Sequence, residues 1–336
     1  MVLRTTSQGM SETGELKPLR FLDLFAGIGG IRLALESTGA QCVFSSEWDP
    51  AAAARYERFF GDKPHGDIYV IDEREVPDHD ILAGGFPCQA FSVLGAKKGF
   101  KDTRGALFFQ IERILKCKRP RALLLENVRH LVTHDRGLTF RVIKTLLEQL
   151  GYNVESRVLN ALDFGLPQKR ERVIIVGYQG GITFQWPEAH ARRRPLVEIL
   201  ESDEVVDASY FVSDGVRESV RKRPEGKLLP AEPWICHENK AGNISPRPYS
   251  CALRAGASYN YLLVNGKRRL TPRENLRLQG FPEDFPADGP PSHIRKQCGN
   301  SVPVPMIAAV ARNLAAALLA RSSGRRQVPN IQESKS

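Results

Sequence analysis

The apolar run Phe21-Leu22-Asp23-Leu24-Phe25 leads directly into the glycine-rich turn Ala26-Gly27-Ile28-Gly29-Gly30. The run predicts a buried strand, and residues 31–36 predict the start of a helix that ends before Gly39. Strand, glycine turn and helix open a nucleotide-binding βαβ unit, in which the glycines let the backbone approach a ligand at the helix N-terminus. A plain structural turn fits this stretch alone equally well.

An acid and an indole follow the next predicted strand, residues 42–46. Glu47 lies about 20 residues after the glycines, the spacing at which an acid binds ribose hydroxyls in such folds. Trp48 beside it is suited to stack on an adenine ring. A surface acid with a packing indole is the alternative. Asp67 is a partner for an adenine amino group or, more simply, a turn residue.

A cysteine on a sharp turn follows a third apolar run, Ile81-Leu82-Ala83. The stretch that contains it reads Gly84-Gly85-Phe86-Pro87-Cys88-Gln89-Ala90-Phe91-Ser92. A cysteine where a strand ends has a fixed backbone, and its sulfur can face a cleft as a thiolate nucleophile. A buried structural cysteine is the more common case for a lone thiol.

The order of elements predicts the fold class. Strands and helices alternate over the first 180 residues or so, which predicts α/β architecture with a parallel, doubly wound sheet. In such sheets ligands bind at the carboxyl ends of the strands. The glycines at 27–30, Glu47, Cys88 and Glu126 all follow predicted strands, so we expect them to meet at one edge.

Composition limits the partners. The 336 residues carry a formal net charge of +10, which suggests a polyanionic partner such as nucleic acid, although a merely basic protein is the alternative. The six cysteines have no paired short spacing, so we expect neither a zinc site nor a disulfide framework, and a reducing cytoplasm fits. We find no signal-peptide pattern and no continuous apolar run of about 18 residues, so we expect no membrane span.

The composition and periodicity of the sequence change between about residue 180 and residue 268. Helical periodicity fades, and Arg247, Arg254, Tyr249, Tyr259 and Tyr261 alternate with asparagines. Arginine and asparagine are the side chains that read guanine and adenine edges, so this region predicts a smaller, β-rich or irregular recognition domain. A solvated accessory domain is the alternative.

A capped helix and a long apolar helix complete the chain. Thr271, Pro272 and Glu274 form the pattern of a capping box with proline at the first helical position, and Gly280 ends that helix. Residues 305–319 predict an apolar helix, and residues 326–336 form a polar tail.

Taken together, these motifs resemble the cytosine-5 DNA methyltransferase family, bacterial restriction–modification type, over most of residues 21–319. The motifs that carry the resemblance, in the order of the family, are FLDLFAGIGG (21–30), Glu47-Trp48, Gly66-Asp67-Ile68, GGFPCQAFS (84–92), Asp102-Thr103-Arg104-Gly105, Glu126-Asn127-Val128, Gln168-Lys169-Arg170-Glu171-Arg172, RLTPRENLRLQGFP (269–282) and Gly299-Asn300-Ser301-Val302.

The resemblance implies that S-adenosylmethionine binds at the glycine turn, leaving S-adenosylhomocysteine as product, with no metal. The residues that it assigns to the cofactor are Phe25, Ala26, Gly27, Gly29, Gly30, Glu47, Trp48, Asp67, Ile68, Pro87, Leu107, Asn300 and Ser301.

The resemblance also implies a catalytic set. Cys88 would add to carbon 6 of cytosine, and Glu126 would hydrogen-bond or protonate ring nitrogen 3, with Arg170 and Arg172 completing the base pocket. The cytosine must leave the duplex to be reached on both faces. The residues that we assign to DNA are Gln89, Ser92, Arg104, Arg247, Arg254, Tyr259 and Tyr261, and residues 95–105 would form a lid over the flipped base.

The implied domains are residues 1–185 for catalysis and cofactor binding, completed by a C-terminal helix at 295–325, with residues 186–294 as recognition domain and hinge. One departure is Ala252-Leu253, where the family usually has Thr-Leu. We expect a cytoplasmic monomer that acts on double-stranded DNA at a palindromic site of about four to six base pairs. A cognate endonuclease would act separately.

Three alternatives remain. A related enzyme that methylates cytosine in tRNA shares the core motifs, but the basic region favours duplex DNA. A nicotinamide oxidoreductase leaves Cys88 and the basic region unexplained. A non-catalytic DNA-binding protein does not require Cys88, Glu126, Arg170 and Arg172.

Overall fold

The computed structural model describes residues 17–86, 106–189, 192–222, 230–238 and 244–324. Cys88 and its neighbours Pro87, Gln89 and Ser92 lie outside the described residues, as does Arg104. Predictions that concern them stay predictions.

Six strands of the described chain form the central sheet, in the order β2-β1-β3-β4-β7-β5. The first seven strands along the chain are Arg20–Leu24 (β1), Gln41–Ser46 (β2), Ile81–Gly85 (β3), Ala122–Val128 (β4), Tyr152–Asn160 (β5), Gln168–Lys169 (β6) and Glu171–Gln179 (β7), of which β6 pairs elsewhere.

Strands β1 to β4 are parallel, as predicted, but β7 runs antiparallel to both β4 and β5. The prediction of a wholly parallel sheet is therefore wrong at this edge. A parallel connection needs a crossover of a dozen or more residues, usually a helix. Between β5 and β7 the chain has only a single 3-10 turn, Ala161–Phe164, and the two-residue strand β6. This short connection reverses the strand direction.

Helices cover both faces of the sheet. The helices in chain order are Gly30–Glu36 (α1), Pro50–Phe60 (α2), Ala106–Lys118 (α3), Leu138–Gln149 (α4), Asp214–Lys222 (α5), Pro272–Gln279 (α6), Pro291–Asn300 (α7) and Val304–Gly324 (α8). Alternate residues of β4 face opposite sides: Leu124 packs in the cluster that contains α1 and α8, and Leu123 in the cluster that contains α3 and α4. This is the predicted doubly wound α/β arrangement.

By length and composition, one stretch among the described residues, Pro291–Ala320, is apolar enough to cross a membrane, with a mean hydropathy of 1.7. Its main helix, α8, packs against α1 and supplies buried residues such as Met306 and Val310 to the core. That is the position of a core helix.

A smaller β-rich region follows the central sheet. The remaining strands are Ile235–Glu238 (β8), Ile244–Arg247 (β9), Ser250–Cys251 (β10) and Leu262–Val264 (β11). Strands β11, β8 and β9 form an antiparallel sheet whose small core includes Val220 of α5 and Trp234. Strand β10 instead pairs in parallel with β6, which ties this region to the segment that leads into β7 of the central sheet.

Helix ends follow the capping rules that the sequence predicts. The Asp49 side chain accepts hydrogen bonds from the backbone N–H groups of Ala51 and Ala52, with Pro50 at the first helical position. Thr271 and Glu274 form the reciprocal capping box of α6, and Gly280 ends that helix in the left-handed conformation.

Two of the turn glycines are required by packing within the protein. A Cβ at Gly29 would lie 2.2 Å from the ring of Phe60, and one at Gly30 would lie 2.7 Å from Ser301 Oγ. Gly27 differs, because its added Cβ would meet nothing within 4 Å. The last two glycines therefore seat α1 against α2 and the start of α8, while Gly27 borders open space.

A buried carboxyl lies at the centre of the sheet. Asp23 of β1 is fully buried, and neither of its oxygens has a hydrogen-bond partner among the described residues. Burial raises its pKa well above the usual range, although nearby Arg32 opposes the shift. A carboxyl in such surroundings is stable in its protonated form.

We predict that Asp23→Asn stabilises the protein progressively, relative to wild type, as the pH rises above the ordinary pKa of an aspartate and through the raised pKa of Asp23. A carboxyl whose pKa is raised on folding contributes stability below its unfolded pKa, and this contribution is lost as the pH rises through the folded value. The asparagine does not titrate. Urea unfolding at several pH values measures the difference, with exposed Asp163→Asn as the charge-matched control. A pH-independent difference would contradict the assignment.

Candidate active site

The ends of four strands meet at one edge of the sheet. Leu24 pairs with Ser46 and Gly84, and Gly85 pairs with Glu126. The glycine turn, Glu47, the segment leading to Cys88 and Glu126 therefore lie next to one another, as the parallel part of the sheet predicts.

Arg172 reaches this edge by a different route. It lies near the start of β7, and its position in the ladder is opposite Val128 at the end of β4. Because β7 is antiparallel, its amino end meets the carboxyl ends of the parallel strands. The reversal of β7 thus delivers Arg172 to the site.

Glu126 and Arg172 form a buried ion pair. Arg172 Nε lies 2.7 Å from Glu126 Oε1, and each side chain is only about a tenth exposed, at 11% and 10%. Desolvation raises the pKa of Glu126 above its usual value, and the charges of Arg172 and Arg170 oppose that rise. A carboxyl with a raised pKa beside an arginine is suited to hold or donate a proton to a bound base.

The backbone just before Cys88 runs next to the Glu126–Arg172 pair. The Asn127 side-chain amide donates a 2.7 Å hydrogen bond to the carbonyl of Phe86, two residues before the cysteine. A Cβ at Gly85 would lie 3.2 Å from Glu126 Oε2, so the backbone runs alongside the carboxylate. These contacts fix the last described residues on the way to Cys88.

Glu47 organises the glycine turn. Its Oε2 accepts a 2.7 Å hydrogen bond from the backbone N–H of Gly27, and its Oε1 accepts one of 2.8 Å from Asp49. The preceding Phe25 and Gly27 itself both have positive φ angles, at 55° and 57°. The turn is therefore bent tightly around the Glu47 carboxylate, with open space on the Gly27 side.

The other predicted cofactor residues fall into two groups, one exposed or half-buried and one buried. Trp48 is 76% exposed, and Asn300 and Asp67 are also exposed, while Leu107 is half-buried. The Asp67 carboxylate caps a short helix by accepting from the N–H of Tyr69, which is the turn role. The buried group is Ala26, Ile68 and Ser301.

These features fit an adenosyl cofactor. A buried carboxylate beside a glycine turn with open space, flanked by an exposed indole, matches the needs of a ribose and an adenine ring. Within the described ranges no group of three His, Cys, Asp or Glu side chains could hold a metal ion. The fold and the site together define a Rossmann-like, nucleotide-cofactor-dependent enzyme.

Arg170 does not point at Glu126 in the way predicted for a base-pocket residue. Its guanidinium is buried and donates to the backbone carbonyls of Leu253, Gly299 and Ser301, at 2.7, 2.9 and 2.5 Å. Burial and the neighbouring Arg172 lower its pKa to about 9. These contacts make Arg170 a bridge between segments of the fold, which corrects its predicted contact with the cytosine.

The predicted DNA-reading residues also differ in their exposure to solvent. Arg247, Arg254 and Tyr259 are exposed, but Tyr261 is 3% exposed and packs in the core. A buried ring cannot contact a base edge in this conformation, so Tyr261 is corrected to a core residue. Two stacks of arginine on tyrosine were not predicted: Arg269 and Arg295 over Tyr259, at 4.4 and 5.1 Å, and Arg193 over Tyr249, at 5.2 Å.

Comparisons with known proteins identify the family. A family model described as C-5 cytosine-specific DNA methylase matches residues 19–316. The chain is 57% identical over 302 residues to the Type II methyltransferase M.NgoBI of Neisseria gonorrhoeae, which covers 90% of this chain and 95% of that protein. It is 56% identical to M.HaeII of Haemophilus aegyptius, over 89% of this chain and 93% of that protein.

Solved structures match in fold. The Entamoeba histolytica methyltransferase EhMeth superimposes with a TM-score of 0.72 at 17% identity, over 90% of this chain and 99% of that one. The S. pombe Dnmt2 methyltransferase gives 0.68 at 21% identity, with the same coverage. The chain belongs to the C-5 cytosine-specific DNA methylase family and is a DNA cytosine-5 methyltransferase.

Sequence reasoning missed two kinds of residue. Asp23 stands in an otherwise apolar strand, and a charge in such a run is the signal that could have drawn attention to it. Gln168 was quoted only as part of a motif, although it is fully buried and hydrogen-bonded to Gln279 and to the carbonyl of Leu278. No local pattern indicates partners so far away in the chain.

We predict that Arg172→Gln raises the pKa of Glu126 further, because Arg172 is the main opposing charge beside the buried carboxyl. A carboxyl ¹³C titration of glutamate-labelled protein measures this shift, with Glu126→Gln assigning the signal. Arg129→Gln is the matched control. Arg129 Nη1 lies 2.9 Å from Glu171 Oε2, and this ion pair is more exposed than that of Glu126 and Arg172. An unchanged or lowered midpoint in Arg172→Gln would contradict the electrostatic assignment.

Proposed function

We propose that this methyltransferase transfers a methyl group from S-adenosylmethionine to carbon 5 of a cytosine flipped out of a short duplex DNA site, with Cys88 as nucleophile. The observation that carries this proposal is the buried Glu126–Arg172 pair, which lies at the sheet edge where β3, the strand that precedes Cys88, and the Glu47–Gly27 turn also end.

The proposed chemistry begins with the sulfur. The Cys88 thiolate forms a bond to carbon 6, and the electron pair of the ring double bond moves to make carbon 5 nucleophilic. When bound, S-adenosylmethionine would supply the methyl group that carbon 5 takes, its S–CH3 bond breaking to leave S-adenosylhomocysteine. A base, for which water is our choice, then removes the carbon-5 proton, the double bond re-forms, and the Cys88 sulfur leaves carbon 6.

Glu126 and Arg172 support this addition. A proton on the Glu126 carboxyl, or a hydrogen bond from it, at ring nitrogen 3 draws electrons away from carbon 6. The raised pKa of Glu126 favours the protonated form that this role needs. Arg172, held 2.7 Å from Glu126, orients the carboxyl and can donate to the cytosine carbonyl oxygen.

The cofactor site is proposed along the first two strands. Glu47 would bind the ribose hydroxyls with its free lone pairs while holding Gly27, and Trp48 would stack on the adenine. Asn300 and Leu107 would line the remaining side. Gly29 and Gly30 contribute through packing, as their close contacts with Phe60 and Ser301 imply.

Residues 186–294 are proposed as the target-recognition domain, with residues 1–185 and the C-terminal helix as the catalytic domain. The exposed Arg247 and Tyr259 support DNA contact from this region. By analogy with the Type II relatives, we propose a bacterial, cytoplasmic monomer that protects host DNA from a separate endonuclease.

We predict that the wild type methylates plasmid DNA at one short motif and that Cys88→Ser abolishes this activity, while Glu126→Gln lowers it by about 10²- to 10⁴-fold. Labelled S-adenosylmethionine and bisulfite sequencing measure both rate and site. Arg129→Gln serves as the control with retained activity. Label on tRNA alone would favour the tRNA alternative. An absence of label on both nucleic acids would contradict the proposed function.

We predict that Trp48→Ala weakens S-adenosylmethionine binding by about 5- to 100-fold, the range expected when an aromatic ring that stacks on a base is removed. Because the indole is 76% exposed, folding should not change. Isothermal titration calorimetry measures the affinity, and Val205→Ala, which is 75% exposed outside this site, is the control. Equal affinities in Trp48→Ala and wild type would remove Trp48 from the site.

A further inference from the structure

Two buried side chains hydrogen-bond to the backbone of a single residue, Leu253, of the recognition region. Gln168 Oε1 accepts a 3.0 Å hydrogen bond from the backbone N–H of Leu253, and the Arg170 guanidinium donates one of 2.7 Å to the carbonyl of the same residue. Gln168 is 0% and Arg170 1% exposed. A residue whose backbone N–H and C=O are both hydrogen-bonded to buried side chains has little freedom to shift.

The next residue, Arg254, is fixed by Tyr261. The backbone N–H of Arg254 donates a 2.9 Å hydrogen bond to the Tyr261 hydroxyl, and the Arg254 guanidinium lies 4.9 Å from the centre of the Tyr261 ring. Tyr261 is buried in the core, whereas Arg254 is exposed. An anchored ring therefore holds a solvent-facing cation by both its backbone and its head group.

A third contact ties the same segment to the catalytic part of the chain. The Gly299 backbone lies so close to Arg254 and Ala255 that an added Cβ would be 2.3 Å from the N atom of Ala255. Arg170 also donates to the Gly299 carbonyl. Since Arg170 is two residues from Arg172, the segment at Leu253 to Ala255 is rigidly connected to the edge that holds Glu126.

Other cations surround this segment. The pKa of Cys251 is raised by burial, and the charges of Arg247, Lys169 and Arg254 oppose that rise. Lys169 is exposed on β6, the strand that pairs with β10. Three cations around the short strand β10 are suited to the phosphate backbone of a nucleic acid.

We infer that Arg254 binds a DNA phosphate next to the flipped cytosine, and that Tyr261, Gln168 and Arg170 are positioning residues which hold Arg254 for this contact. The inference rests on the proposed function for its substrate. It assigns the three buried residues a role in DNA binding through Arg254, with no contact of their own to the DNA.

A double-mutant cycle tests the inference. Arg254→Gln should weaken binding of a duplex containing the target site by about 10-fold and reduce the slope of log affinity against log salt by about one. Tyr261→Phe keeps the ring but removes the hydroxyl that holds the Arg254 backbone. It should weaken binding of the same duplex by about 3- to 10-fold, in line with the loss of one buried hydrogen bond, and raise KM for DNA accordingly while kcat is retained.

In the Arg254→Gln background, the same Tyr261→Phe change should have an effect of less than about twofold, because the residue that it positions is gone. Tyr152→Phe is the matched control: Tyr152 is also buried, and its hydroxyl donates to the Pro120 carbonyl far from this segment. It should leave KM for DNA unchanged in either background.

Three outcomes would overturn the inference. In the first, Tyr261→Phe weakens DNA binding by the same factor with and without Arg254→Gln. In the others, Arg254→Gln leaves the salt slope unchanged, or Tyr152→Phe raises KM for DNA as much as Tyr261→Phe does. The proposed function fails separately, if the wild type binds the duplex without methylating it. In that case the salt slope and the binding cycle still decide the role of Arg254.

Discussion

The candidate active site depends on one buried ion pair, Glu126 with Arg172. Either charge alone in that position would carry a large desolvation cost, so each requires the other. The two side chains come from neighbouring strands that run in opposite directions, and the ladder between β4 and β7 sets their 2.7 Å separation. The antiparallel strand, an exception in an otherwise parallel core, is therefore what assembles the pair. Desolvation at the same place raises the pKa of Glu126, and this is the property that proton donation to a base requires.

The cofactor side of the edge is built around a second carboxylate. Glu47 accepts backbone hydrogen bonds from Gly27 and Asp49, so one side chain shapes the glycine turn and the start of α2 together. The glycines of that turn have different structural roles. Gly29 and Gly30 allow close packing of α1 against its neighbours, while Gly27 leaves room beside the turn. A motif that looks uniform in sequence thus contains both packing positions and one that borders open space.

The smaller β-rich region and the residues that lead into the central sheet are joined by buried polar contacts. Gln168 and Arg170 hold Leu253, and Gln279 donates to the carbonyl of Cys298. Buried polar groups are stable only when their partners are in place, so such a joint specifies one relative position of the segments. Arg170, expected at the cytosine, instead fulfils this requirement. Arg172, two residues further along the chain, is the one that pairs with Glu126.

Local rules in the sequence determined the strands β1 to β4, the caps at Asp49 and Thr271, and the convergence of Glu47 and Glu126 at one edge. These features depend on periodicity, turn chemistry and parallel strand direction, all of which are encoded within short windows. The motifs that carried the family resemblance belong to the same class. Only the tertiary structure decided the direction of β7, the burial of Asp23 and Tyr261, and the bridging role of Arg170. Each of these depends on contacts between residues far apart in the chain, and the desolvation that changes a side chain's role exists only once those segments have packed together.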